Sequence, residues 1–433
     1  MTYLDTDRQT SADLNIQEGI YNEQTLCSLF TKTETKSGKS LMIDWLTNPL
    51  SDINLIRKRQ EAIAWDSLPG LPLLEEELDF IEYYLDYRDQ IRKANPFFTL
   101  VAWVDRCFKH DSYRYVIREG VTLIIKMLRR LEELKNELPE DAPLLLKEMS
   151  QTIQESISET DLEPIVHQSS DADERLSIFI IDKYDYLFRF ARLNTLRNLL
   201  SVVYQLDVCR TANRVGYYRH YCYTTEMTDS MKLSIRGFVH PFVKNASSND
   251  WSMSNGNICM FTGSNMAGKS TALKAITLAV WLAHCGLPVP VDSMTCPVYD
   301  GIYTSINLPD SLRDGRSHFM AEIIRIKEVL ANAMQGKRCL VVLDEMFRGT
   351  NAQDAFEASV AVNDLLKTFP NCHFLISTHI LEYAKAFEHD EACCFYYMES
   401  EIKDDEFVCS YQMKQGISES KVGYWIVKKE LDI

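Results

Sequence analysis

Residues 261–271 read FTGSNMAGKST, with a glycine at 263, four residues, and then Gly268, Lys269 and Ser270. The preceding run NICMF (257–261) has strand character, and STALKAITLAVWLA (270–283) follows as a helix-forming stretch. A strand, a glycine-bounded loop and a helix in that order make an anion cradle, because successive backbone N–H groups and the helix N-terminus point at one spot. The spacing predicts that Gly263, Ser264, Asn265, Met266, Ala267, Gly268, Lys269, Ser270 and Thr271 wrap the phosphates of a nucleotide. Lys269 is expected to bridge the β- and γ-phosphates and the Ser270 hydroxyl to ligate Mg²⁺.

A second run supports the first. Leu340, Val341, Val342 and Leu343 form an apolar stretch that ends in Asp344 and Glu345, as a buried parallel strand does when it delivers carboxylates to its C-terminal edge. Asp344 is expected to hold the metal through its water shell, and Glu345 to polarise an attacking water. Small-molecule kinases share the loop but need no base aimed at water, so hydrolysis is the predicted reaction. A third run, HFLIST (373–378), leads to His379, which is placed either to sense the γ-phosphate or to serve the structure alone.

At 433 residues the chain is long enough for two or three domains, each with its own core. Its twelve cysteines are scattered with no CxxC pair, which excludes a zinc knuckle and a disulfide framework and points to a reducing cytoplasm. The start MTYLDTDRQT lacks the basic and apolar regions of a signal peptide. The longest apolar stretch, TLAVWLAHCGLPVPV (277–291), is too short to cross a bilayer, so no membrane partner is expected. A net charge of −16 argues against a uniformly basic coat for nucleic acid, while leaving room for a local basic face.

Residues 1–235 read as helix almost throughout. GKSLMIDWLTNPL (38–50) stops at Pro49, and SDINLIRKRQEAIAW (51–65) restarts with Ser51 as the expected N-cap. From Asp171 to Arg214 the helical pattern runs without glycine or proline, which suits a strut or lever. Arg189, Arg192, Arg197, Arg210, Arg214 and Arg219 stud this part, either as a solvated face or as a stripe for DNA phosphates. Residues 236–433 alternate short β-rich runs with helices, the pattern of an α/β domain, and ACCFYYMESEIKDDEFVCSYQMKQG (392–416) reads as two strands joined by a charged turn.

Taken in order, TGSNMAGKST (262–271), DGRSHFMAEI (314–323), LVVLDEMFRGTN (340–351) and STH (377–379) resemble the MutS family of DNA mismatch repair proteins, ATPases of the ABC class. TKTETKSGKSLMIDWLTNPLSDINLIRKRQEAI (31–63) is similar to the start of that family's lever domain. HPFVKN (240–245) is similar to the entry to its ATPase, and YQMKQGISESKVGYWIVKK (411–429) to its closing strand and helix. The resemblance implies a multidomain protein, with an N-terminal all-α lever or core domain over 1–235 and an α/β P-loop ATPase domain of the ABC class over 236–433. It implies ATP and Mg²⁺ as ligands, and a homodimer in which two ATPase domains pair head to tail.

In such a pair Ser317, within Gly315, Arg316, Ser317, His318 and Phe319, caps the γ-phosphate held by the other copy. Read alone, GRSHF is the N-cap of the helix FMAEIIRIKEVL (319–330). FRGTN, with Arg348, Gly349 and Asn351, falls where the family has a subunit-crossing loop. Phe242 matches an aromatic that stacks on adenine, with Trp251 as a rival. Two residues depart from the family pattern: Ala267 replaces a glycine and His318 a threonine.

A counterpart of the family's mismatch-reading domain and connector is not expected, nor is one of the clamp or of the C-terminal helix-turn-helix. Direct mismatch reading is therefore not expected, which leaves room for a separate DNA-reading or repair partner protein. The leading expectation is a short MutS-like ATPase that closes as a dimer on ATP, moves its levers and acts on DNA in repair or recombination. The alternative is a nucleotide-dependent adaptor or clamp for a protein partner. A structural-maintenance ATPase would need long coiled-coil arms between the loop and the acidic strand, and a transporter ATPase a Ser-Gly-Gly-Gln type motif in place of GRSHF.

Overall fold

The computed structural model describes residues 3–17, 24–87, 111–158, 160–167, 176–223, 225–253, 256–264, 267–306, 318–333, 335–403 and 406–418. In chain order the helices begin with α1 (Arg8–Asp13), α2 (Leu26–Phe30), α3 (Lys36–Thr47), α4 (Ile53–Ala64) and α5 (Glu75–Asp86). They continue with α6 (Asp111–Glu137), α7 (Leu144–Ile157), α8 (Glu163–Val166), α9 (Ile178–Tyr186), a π-helical turn (Leu187–Ala191) and α10 (Leu193–Arg219). Strands enter afterwards: β1 (Glu226–Thr228), β2 (Ser234–Phe238), β3 (Asn249–Ser252) and β4 (Ile258–Thr262), then α11 (Lys269–Cys285), β5 (Ser293–Pro297) and β6 (Gly301–Ser305). The order closes with α12 (His318–Ala333), β7 (Cys339–Asp344), α13 (Ala352–Leu366), β8 (His373–Ser377), α14 (Leu381–Ala386), β9 (Cys393–Lys403) and β10 (Glu406–Gln415). A helical N-terminal region thus precedes an α/β region. By spatial contact the chain groups into two compact units, one of Met1–Leu29, Asp44–Gln60 and Arg214–Ile433, the other of Phe30–Ile43 and Glu61–Asn213.

The second unit is all helix. Val121, Ile124, Ile125, Leu128 and Leu131 recur on α6 at three- and four-residue steps, and all are buried. Gly120 sits where a β-carbon would lie 2.2 Å from the Tyr84 ring, so only glycine lets α5 and α6 meet there. The Tyr84 hydroxyl donates to Asp185 at 2.8 Å, and Arg189 closes a two-pronged pair on the same carboxylate at 2.6 Å and 2.6 Å. The uninterrupted helix expected from Asp171 to Arg214 is corrected: the described part breaks at Leu187–Ala191 and then runs on to Arg219. One surplus residue is absorbed in a wide turn, closed by the Arg192 N–H donating to the Leu187 carbonyl at 2.7 Å.

The TKTETKSG stretch also gains a physical reason within this unit. Asp207, fully buried on α10, accepts from the backbone N–H groups of Glu34 and Thr35 at 2.9 Å and 2.8 Å and from the Thr35 hydroxyl at 2.7 Å. The same Thr35 hydroxyl accepts from the Gly38 N–H at 2.9 Å, capping α3. A β-carbon on Gly38 would lie 2.3 Å from the Asp207 carboxylate.

In the first unit a six-stranded sheet has the order β10-β9-β4-β8-β7-β6. β9 and β10 are antiparallel, as their reading as a strand pair requires, and the other neighbours are parallel. β4, β7 and β8 are apolar runs buried along their length, apart from the half-buried last residue of β7. α11 is buried on all sides and packs against β7 and β8, which explains a sequence apolar around its whole circumference. A smaller sheet has the order β1-β5-β2-β3.

Residues 3–17 also belong here. Asp5 bridges to Gly301 beside β6, and Asp7 caps α1 while pairing with Arg325 of α12. Asp13 accepts from the Thr304 hydroxyl at 2.7 Å and the Ile306 N–H at 2.9 Å. The outer strand of the sheet is thereby covered. The N-cap of α4 is Asp52 rather than Ser51, since the Asp52 carboxylate accepts from the Asn54 N–H at 2.8 Å. Among the described residues no helix is long and apolar enough to cross a membrane.

Candidate functional site at the carboxyl ends of the parallel strands

Parallel strands aim their carboxyl ends the same way, and here those of β4, β7 and β8 carry the loop, the two acids and the histidine. Gly263 and Gly268 hold φ of 132° and 101°, values that side chains with a β-carbon rarely adopt. Gly268 is the residue from which α11 starts. The described loop positions Gly263, Ser264, Ala267 and Gly268 lie between β4 and α11, followed by Lys269, Ser270 and Thr271 on the first helical turn. Asn265 and Met266 lie outside the described residues, as do Gly315, Arg316 and Ser317.

Lys269 is buried, and its ammonium donates to the carbonyls of Gly263 at 2.8 Å and Ser264 at 3.0 Å. Its remaining direction faces Glu345, with Nζ 3.5 Å from Oε1. Burial pulls the Lys269 pKa below the ordinary lysine value, against the pull of the Glu345 carboxylate. Glu345 is itself buried and sits in the left-handed region at φ 51°, with Phe347 at 64° two residues on. Two such residues in one short turn store strain beside the acids.

Three basic side chains converge on Glu345: Lys269, Arg348 at 2.5 Å and His379 at 3.5 Å. Burial pushes its carboxyl up, but the His379 hydrogen bond and the charges of Lys269 and Arg348 outweigh that and bring it to about 2. Ser377 aligns the two acids. Its hydroxyl accepts from the Glu345 N–H at 3.1 Å and donates to Asp344, and the strand register sets Asp344 beside Ser377. The turn after Glu345 is pinned as well, because the Phe347 N–H donates to the buried Glu322 carboxylate of α12.

Arg348 belongs to this group, whereas other expected residues lie outside it. Arg348 turns back on Glu345 of its own chain, and Asn351 caps α13 by accepting from the Asp354 N–H at 3.0 Å. Gly349 is exposed between them. Trp251 is buried in the core, with its indole N–H on the Cys259 sulfur at 3.3 Å and its ring 6.2 Å from that of Phe261. Phe242 is half-buried in the loop after β2, its ring 5.9 Å from that of His240.

Beside Gly268 and Thr271 lies a cavity of about 380 Å³ bordered by Phe238, His240, Val243, Met398 and Tyr411, with Phe242 not among its lining residues. Burial, helped by the nearby Lys274 ammonium, holds His240 near a pKa of about 4, so its ring is neutral at pH 7. Tyr411 was missed by sequence reasoning. It projects from a bulge in β10 at φ 54°, and a β-carbon on Gly268 would lie 3.4 Å from its ring. Asn249 of β3 fixes that bulge, accepting from the Met413 N–H at 2.6 Å and donating to the Tyr411 carbonyl at 3.0 Å. No local signal marks a bulge set by a side chain more than 160 residues away.

The arginines read as a stripe are mostly paired within the helical unit. Arg189 is buried on Asp185, Arg192 meets Asp161 at 3.4 Å, Arg197 meets Asp86 at 2.8 Å, and Arg210 meets Glu34 at 3.4 Å.

Residues 9–335 match the family model of MutS domain III, and residues 259–430 match that of MutS domain V. The chain is 29% identical over 229 residues to the DNA mismatch repair protein MutS of Petrotoga mobilis, covering 51% of this chain and 28% of that protein. It is 33% identical over 208 residues to that of Aquifex pyrophilus (47% of this chain, 24% of that protein) and 35% identical over 190 residues to that of Thermus thermophilus (43% and 23%). The chain spans about a quarter of the length of these relatives.

Proposed function

Because this chain belongs to the MutS family, we propose that it binds and hydrolyses ATP with Mg²⁺ at the loop 263–271 and acts on DNA in mismatch repair or recombination. In this reading the helical unit within residues 1–235 serves as the lever and 236–433 as a P-loop ATPase of the ABC class. One observation carries the reading: Lys269, Glu345 and His379, delivered by three different strands, meet within 3.5 Å at one end of the sheet. The two left-handed glycines, the buried ammonium and the cavity beside Thr271 fit a nucleotide, with phosphates at the loop and the base toward Tyr411 and His240. Among the described residues no cluster of three metal-binding side chains occurs, and Mg²⁺ on a nucleotide needs only one or two protein ligands. Ser270 and Asp344 would hold Mg²⁺, which supplies charge neutralisation at the phosphate oxygens.

Lys269 then binds phosphate oxygens, Ser377 orients Asp344 and Glu345, and Glu345 takes a hydrogen bond from the attacking water while His379 steadies it. Ser317 of a second copy closes the site in trans, so ATP stabilises a homodimer. The described cysteines are all free, which supports a reducing, cytoplasmic setting. The test is calorimetric ATP binding alongside hydrolysis. Lys269→Ala should lose binding, whereas Glu345→Gln should bind and not turn over, and parental rates in both would refute the site.

A second reading, a slow nucleotide-dependent adaptor, draws on the basic side chains around Glu345, because a carboxylate held at about 2 is a weak base. Hydrolysis measured with duplex, branched and mismatched DNA at two salt concentrations separates the readings: stimulation by one form supports repair, and indifference to all supports the adaptor.

A further inference from the structure

The end of α10 carries a feature that the nucleotide site does not use. Between Asp207 and Glu226 the sequence has no carboxylate, yet it holds Arg210, Arg214, Arg219, His220 and four tyrosines, in a chain whose net charge is −16. Tyr217 and Tyr218 are 70% and 76% exposed, and Arg219 and His220 beside them are exposed too. The two rings stand 5.4 Å apart at 80°, so a planar group stacked on one meets the other edge-on.

This display is fixed in place. A β-carbon on Gly216 would lie 2.6 Å from the Tyr223 ring and 3.2 Å from Pro288, so the helix end is seated where only glycine fits. The Tyr221 N–H then donates to the Gly216 carbonyl at 2.9 Å, and Cys222 exchanges two backbone hydrogen bonds of 2.9 Å with Val289. The Arg219 guanidinium lies against the buried Tyr221 hydroxyl and, among the described residues, forms no ion pair with a carboxylate. Rigid, exposed aromatic faces flanked by cations match the two halves of a nucleotide, a base to stack and a phosphate to neutralise.

We propose that Tyr217, Tyr218, Arg219 and His220 form a stacking platform for unpaired bases of single-stranded nucleic acid. A duplex buries its base faces in its own stack and offers this platform only phosphates, so the preferred ligand is single-stranded.

The probe is a fluorescein-labelled oligothymidylate of about 15 nucleotides, long enough to cover one such site. Its anisotropy is titrated with the full chain at two salt concentrations, against a duplex of equal length. The single strand should bind more tightly than the duplex. Tyr217→Ala with Tyr218→Ala should weaken it by about tenfold or more, while Tyr217→Phe with Tyr218→Phe should stay within about twofold. Arg219→Gln should flatten the salt dependence by about one phosphate contact. All four side chains are exposed, so circular dichroism melts should match the parent. Equal binding by the double alanine variant, a preference for duplex, no binding by the parent, or concentration-dependent self-association lost in that variant would each overturn the platform.

Discussion

Arg348 closes on Glu345, with Nη2 2.5 Å from Oε2, three residues along the same chain. The proposed water-polarising acid is thus neutralised from its exposed side as well as from Lys269 beneath. Removing the guanidinium should raise the Glu345 pKa from about 2 and strengthen it as a base. Arg348→Ala is expected to raise kcat by ~threefold with nucleotide affinity unchanged, as steady-state phosphate release would record. A fall in kcat would instead place Arg348 in the chemistry.

Asn249 holds the β10 bulge that aims Tyr411 at the cavity beside Gly268. Asn249→Ala strips partners from two backbone groups and should destabilise by about 1–3 kcal/mol in urea titrations. Adenine nucleotides should also bind more weakly. Tyr411→Ala should lose affinity by about tenfold at unchanged stability, whereas Tyr411→Phe keeps it, because the ring rather than the hydroxyl stacks.

Asp207 satisfies the backbone N–H groups of Glu34 and Thr35 in a fully buried setting. Asp207→Ala leaves both donors orphaned, at a cost of about 2–4 kcal/mol, readable as a drop in the melting temperature. Filling the neighbouring space with Gly38→Ala should be at least as harmful, since the added carbon would lie 2.3 Å from the carboxylate.

Two buried histidines set a limit in acid. The Tyr299 N–H donates to His284 Nε2 at 3.4 Å, which leaves the ring proton on Nδ1 facing the Leu50 carbonyl at 2.7 Å. His373 meets the Tyr299 hydroxyl at 2.6 Å. Burial holds both rings near a pKa of about 4, below the unfolded value of about 6.5. The unfolded chain therefore binds more protons between those values, so the stability is full above about pH 6.5 and is lost progressively as pH falls toward 4. Urea midpoints measured from pH 7 to pH 5 should decline, and a flat profile would contradict neutral rings.

The strand, loop and helix over 258–285 and the acid-tipped β7 were legible because each is a local pattern: apolar run, glycine spacing, apolar run. What escaped was set by distant partners. Asp7 and Asp13 are ordinary acids until Arg325 and Thr304 arrive some three hundred residues later, and only then do residues 3–17 fall beside β6. The π-turn at Leu187–Ala191 likewise contains neither glycine nor proline. Trp251 and Phe242 were ranked by residue type, whereas access to the cavity depends on how the loop after β2 packs.

β4 is hydrogen-bonded along both flanks, to β8 on one side and β9 on the other. A one-residue slip would turn every side chain of a strand that has no exposed face. Gly263, the first residue beyond this strand, is therefore held by the sheet itself, and so is the carbonyl that accepts from the Lys269 ammonium.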